Sequence, residues 1–234
     1  MANNTKILST ASLDGRLLQK AADEGVLLDA MSFIKISAVE DEALVEKVVD
    51  LCYVSATIVF TSVNAVKAVS DIIMAAEPQW DIYCLGNATQ AAVLSQFPSC
   101  NIVAVANNAA ELATIIIEDG EEEEVVFFCG DQRLDTLPDT LRKNKIEVYE
   151  VVVYRMQKVQ NEISENYDGI LFFSPSAVDS FFSANKIDDG VVLFAIGNTT
   201  ANATKKHTAN KVVFSETASK ESMVDYAIKY FKNK

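Results

Sequence analysis

Phe194-Ala195-Ile196-Gly197-Asn198-Thr199-Thr200-Ala201-Asn202-Ala203 decides the fold: an apolar strand runs into a Gly-Asn turn and straight on into a helix. Gly197 is expected to take backbone angles closed to other residues, and Asn198 or Thr199 to cap the helix. The same figure occurs earlier as Tyr83-Cys84-Leu85-Gly86-Asn87-Ala88-Thr89-Gln90-Ala91-Ala92. The echo extends upstream: Phe60-Thr61-Ser62-Val63-Asn64 precedes the first copy, and Phe173-Ser174-Pro175-Ser176-Ala177 precedes the second at a similar distance. Two halves with the same order of hydroxyl-bearing turns predict a duplicated unit with two binding rims.

Working outward, the beat is regular. Strands are predicted at Ile7–Leu8, Phe33–Val39, Thr57–Thr61, Asp81–Leu85, Asn101–Ala104, Val125–Cys129, Glu147–Val153, Gly169–Phe173, Val191–Ala195 and Lys211–Phe214. Between them lie segments with helical spacing, from an Asp14-capped helix through Ala22, broken by Gly25, to Lys220–Phe231. Strands such as Val125-Val126-Phe127-Phe128 are apolar throughout, as parallel strands covered on both faces are. The fold class predicted is α/β, with two doubly wound parallel-sheet domains joined by a two-stranded β ladder and the first domain discontinuous. Residues 1–36 and 158–234 would form the domain built from both termini, 40–150 the inserted one, and 33–39 with 149–157 the connecting strands. Ten strands in a single sheet is the alternative.

Composition narrows the function classes. The 234 residues are half hydrophobic and carry a formal net charge of −13, which argues against nucleic acid and anionic membrane as partners. An anionic small ligand stays open, because a turn rich in N–H donors at a helix start is locally positive. No apolar run approaches the ~20 residues of a membrane span, and Met1–Thr5 does not begin a signal peptide. Cys52, Cys84, Cys100 and Cys129 form no CxxC pair and read as reduced structural thiols of a cytoplasmic protein. His207 stands alone, so neither a metal site nor a Ser-His-Asp triad is expected. Dinucleotide, P-loop and GxSxG signatures are missing. The acidic run from Gly120 to Glu124 reads as a solvated turn. Ligands of open parallel sheets bind beyond the C-terminal strand ends. Here those loops are residues 61–64, 86–89, 130–133, 174–176, 197–200 and 215–217, where capping is the competing use of the same side chains.

Phe127-Phe128-Cys129-Gly130-Asp131-Gln132-Arg133-Leu134-Asp135-Thr136-Leu137-Pro138, Leu141 and then Tyr154 resemble the G-x-x-x-R-x-x-L-P-x-x-L block and following tyrosine of the uroporphyrinogen-III synthase family. Thr61-Ser62, Ser174-Pro175-Ser176, Gly86–Thr89 and Gly197–Thr200 are similar to its paired turns, in the same order over nearly the whole chain. The resemblance implies two α/β domains joined by a ladder. It implies an enzyme, a hydro-lyase, that closes the linear tetrapyrrole hydroxymethylbilane with loss of water and inversion of the last pyrrole ring. It implies no cofactor, and the chain is expected to act as a monomer. Carried over residue by residue, Tyr154 is the donor to the leaving hydroxyl. Thr61, Ser62, Thr89, Ser174, Ser176, Asn198, Thr199 and Thr200 bind substrate carboxylates. Arg133 either joins them or braces its own helix. The chain departs from the family at Ala11, where an arginine is common; Arg16 lies nearby. It departs also at Asn144, which replaces a glycine and would take its left-handed turn. The competing reading is a two-lobed binding or regulatory module that holds an anion without chemistry.

Overall fold

The computed structural model describes residues 5–74, 76–120, 122–214 and 219–233. In chain order the first elements are β1 (Thr5–Ser9), α1 (Gly15–Asp23), β2 (Val26–Ala30), β3 (Ile34–Ala38), α2 (Glu42–Leu51), β4 (Ala56–Phe60) and α3 (Val63–Ile73). Then come β5 (Trp80–Leu85), α4 (Ala88–Gln96), β6 (Asn101–Ala106), α5 (Ala109–Asp119), β7 (Glu124–Gly130), α6 (Thr136–Lys143) and β8 (Glu147–Lys158). The chain closes with β9 (Gly169–Phe172), α7 (Pro175–Ala184), β10 (Val192–Ala195), α8 (Asn198–Lys205), β11 (Val212–Phe214) and α9 (Lys220–Lys232).

The strands form two sheets rather than one, in the orders β11-β10-β9-β1-β2 and β3-β8-β7-β4-β5-β6. The chain divides into two compact units, residues 1–35 with 157–234 and residues 36–156. Both crossings fall inside strands, β3 and β8, which are neighbours at one edge of the second sheet.

In the unit of residues 36–156, alternation sorts the strand side chains to the two sheet faces. Ile58, Phe60, Ile82, Cys84, Phe128 and Val151 join one buried cluster beneath α2, α3 and α4. Val59, Tyr83, Val125, Phe127 and Cys129 join another with Leu112, Ile116 and Leu137 of α5 and α6. The other unit repeats the plan. Ile7, Leu171 and Phe194 pack with Met223 and Ile228 of α9, and Leu8, Ile170, Phe172 and Leu193 with Val178 and Phe181 of α7. A sheet covered on both faces has no polar face, which is why these strands read as unbroken apolar runs.

Several expectations are corrected. β2 was not anticipated: it pairs in parallel with β1 at the sheet edge, and only Val26 of its residues is buried. An edge strand half in solvent lacks the apolar run that marked the others. Gly197 is extended, with φ −175°, so no left-handed angle requires a glycine there. Gly197 itself is the N-cap of α8, which has no side-chain cap from Asn198 or Thr199. In the matching turn the positive φ of 58° falls on Asn87, not on Gly86. Asn144 has φ −98° and the left-handed residue is Lys145, at φ 69°. The loop 215–217, singled out as a strand-end turn, lies outside the described residues, as does Glu121 of the acidic run.

Candidate functional site

The paired turns of the sequence lie on adjacent parallel strands in each unit. Phe60 of β4 is in register with Cys84 of β5, and Phe172 of β9 with Ala195 of β10. The turns that follow therefore stand side by side at the C-terminal strand ends, where the helices begin. Their caps differ in kind. Ser62 Oγ accepts from Asn64 N at 3.1 Å and Ser174 Oγ from Ala177 N at 3.1 Å, so these serines satisfy the starts of α3 and α7. The starts of α4 and α8, at the two Gly-Asn turns, have no side-chain cap hydrogen bond. The first N–H groups of those helices, together with the positive dipole end, suit a carboxylate.

At these two helix starts the groups without a side-chain cap are backbone amides. Thr89 and Thr200 are only 7% and 4% exposed, and the Thr200 carbonyl accepts from Thr204 Oγ1 at 2.9 Å. Asn198 and Thr199 are exposed at the start of α8, and Thr61, Ser62, Ser174 and Ser176 are partly exposed.

In the unit of residues 36–156, a change of register brings Tyr154 to the strand end. Cys129 faces Val152, but Gly130 faces Tyr154. The Tyr154 hydroxyl donates to Ser62 Oγ at 3.1 Å. The backbone around the tyrosine is held as well: Asp131 N donates to Tyr154 O at 3.2 Å, Met156 N to Asp131 Oδ1 at 2.9 Å, and Gln132 Nε2 to Met156 O at 2.9 Å. Tyr154 and Ser62, 92 residues apart, thus meet at one hydrogen bond.

Arg133 braces. Its Nε donates to Glu150 Oε2 and its Nη1 to Asp135 Oδ1, while Arg142 Nη2 reaches Glu150 Oε1 at 2.8 Å. The Glu150 hydrogen bond and charge raise the guanidinium's pKa. Burial works against the Glu150 carboxylate, but hydrogen bonds from Arg133 and Arg142 outweigh it and hold its pKa below the usual 4.5. A lowered folded-state value means stability that is present above that pH and lost as pH falls through it. Glu150→Gln is expected to destabilise the protein by about 1–3 kcal/mol near neutral pH. Denaturant titrations should show the gap to the parent closing as pH falls below the ordinary carboxylate range and the parent's carboxyl takes up its proton too; a gap independent of pH contradicts this role.

The other unit carries a cation that sequence reading passed over. Lys220 Nζ donates to Ser12 O at 2.7 Å and lies 5.9 Å from the centroid of the Phe173 ring, beside the turn after β9. Only folding brings the start of α9 next to the turn after β1, so no local signal marked it. Arg16 is exposed on α1, 3.8 Å from Asp14. His207 bonds Asp179 at 2.9 Å and stacks on Phe182. Burial pushes the Cys84 and Cys129 thiols up to about 11. Among the described residues no group of three or more His, Cys, Asp and Glu could hold a metal ion, and no helix is long and apolar enough to cross a membrane. A hollow of about 310 Å³ lined by Ala56, Thr57, Asp81 and Glu124 lies at the opposite strand ends from the turns.

Residues 16–225 match the family model described as uroporphyrinogen-III synthase HemD. No curated protein sequence matches. Among solved structures, the chain is similar to a mutant uroporphyrinogen III synthase from Thermus thermophilus, with TM-score 0.68 and 12% identity over 98% of this chain and 100% of that one. It is similar also to uroporphyrinogen-III synthetase from Helicobacter pylori, with TM-score 0.64 and 16% identity over 97% of this chain and 99% of that one. At such identities the likeness to these structures speaks to the fold alone.

Proposed function

The chain belongs to the uroporphyrinogen-III synthase family and acts in tetrapyrrole biosynthesis, and from that premise we propose how its own residues do so. The substrate is hydroxymethylbilane, and the chain works on it as a hydro-lyase, as a monomer in the cytoplasm. Tyr154 Oη gives its proton to the terminal hydroxyl as the C–O bond breaks, and water leaves. The pyrrole nitrogen pushes that bond apart, so one positioned donor suffices. The azafulvene cation left behind is attacked by the substituted carbon of the last pyrrole, giving a spiro intermediate. Fragmentation and reclosure invert that ring. The ring's displaced proton returns to the Tyr154 phenolate, so the protein ends as it began.

The rest of the work is orientation, and holding a flexible chain in one folded arrangement supplies much of the rate. Acetate and propionate arms on every ring make the substrate a polyacid. Amides at the starts of α4 and α8, near Thr89, Asn198, Thr199 and Thr200, take some of these carboxylates. The hydroxyl turns Thr61-Ser62 and Ser174–Ser176, with the Lys220 ammonium, take others. Arg133 acts by bracing its turn.

The observation that carries this reading is the Tyr154 hydroxyl, held beside the C-terminal end of β7 by the Ser62 hydroxyl, in a chain whose family match spans that residue. The experiment is to supply hydroxymethylbilane and separate the products. Isomer I forms spontaneously, so a product dominated by isomer III is the expected result. Isomer I alone would favour the binding-module reading.

A further inference from the structure

Gly130 is the last residue of β7, and Tyr154 lies across from it on β8. A Cβ built at Gly130 would sit 2.8 Å from Tyr154 Oη and closer still to ring carbons Cζ and Cε2. No side-chain carbon tolerates that approach, so the tyrosine ring lies where only a glycine leaves room. On the other side the hydroxyl meets Ser62 Oγ at 3.1 Å. Ser62 is itself fixed, because the same Oγ accepts from Asn64 N at 3.1 Å at the start of α3. A hydroxyl that accepts two hydrogen bonds has only its own proton left to offer.

We propose that Gly130 and Ser62 are positioning residues that form a two-sided seat for the Tyr154 hydroxyl, Gly130 by omitting a side chain and Ser62 by accepting its hydrogen bond. This rests on Tyr154 being the proton donor, and it changes the role of Ser62 from carboxylate binder to partner of the tyrosine. The register change at Gly130 belongs to the seat: with Val152 directly followed by Tyr154 in the pairing, the ring is delivered to the glycine rather than to Cys129. The atoms a new methyl would meet are the free end of the tyrosine, so Gly130→Ala is expected to displace the ring and leave β7 paired.

The test is a pair of double-mutant cycles, read as kcat and KM for isomer III. Gly130→Ala and Ser62→Ala should each lower kcat by about 10- to 100-fold, as misplacement of a reacting group by about an ångström does, with KM little changed. In a Tyr154→Phe background, where no hydroxyl remains to be seated, each should change kcat by less than about twofold. A residue that merely supports the fold would cost as much in either background. If Gly130→Ala loses its cooperative thermal transition, the Ser62 cycle decides alone. Additive losses in kcat overturn the seat, as does a Ser62→Ala variant that raises KM equally in both backgrounds with kcat intact. Full kcat in Tyr154→Phe alone fails separately: it removes the donor role on which the seat depends.

Discussion

Tyr154→Phe is expected to lower kcat for isomer III by at least about 100-fold, the lower end of what a positioned acid contributes. The substitution deletes one oxygen. The ring keeps its place over Gly130 and in the buried cluster with Phe128, Val151 and Val153. The hydrogen bond lost to Ser62 Oγ is worth only about 1 kcal/mol net, so the variant should stay folded. Catalysis and stability therefore separate at this residue. The assay must count isomer III, because substrate that escapes the protein closes to isomer I unaided. A rate within about twofold of the parent, with an unchanged unfolding transition, would assign the proton to another group.

The second large effect concerns stability. Phe128→Ala should cost about 3–5 kcal/mol, the range for deleting a fully buried aromatic side chain. Phe128 is completely buried in β7, stacked on Phe60 at 5.5 Å and tilted against Trp80 at 6.1 Å. Removing it opens a hole beneath β4, β5 and β7, whose ends carry the Ser62, Gly86 and Gly130 turns. For a chain of this length the midpoint of thermal unfolding should fall by on the order of 10 °C. A shift of only about a degree would mean that these rings do not hold the sheet.

The sheets were legible because both faces are buried: an apolar run such as Val125–Cys129 has one reading once helices flank it on either side in sequence. β2 was not legible, because an edge strand with Leu27 half exposed carries neither a continuous run nor clean alternation. The turns were legible as hydroxyl-rich strand ends, yet their local chemistry was not. Whether Ser62 caps α3 while Asn198 leaves α8 uncapped depends on backbone angles that one residue's identity does not set. The ion pair of Arg133 with Glu150, 17 residues away on β8, was not legible either. The pairing of Gly130 with Tyr154 depends on one skipped residue in the β7–β8 register, and no local pattern encodes it.

The most direct measurement is a crystal structure of the protein with its cyclic product bound. The account predicts acetate and propionate oxygens within hydrogen-bond distance of the N–H groups opening α4 and α8, with the Tyr154 hydroxyl facing the bridge carbon that closed the ring. Product bound away from the C-terminal strand ends, or with Tyr154 turned from it, would contradict the account.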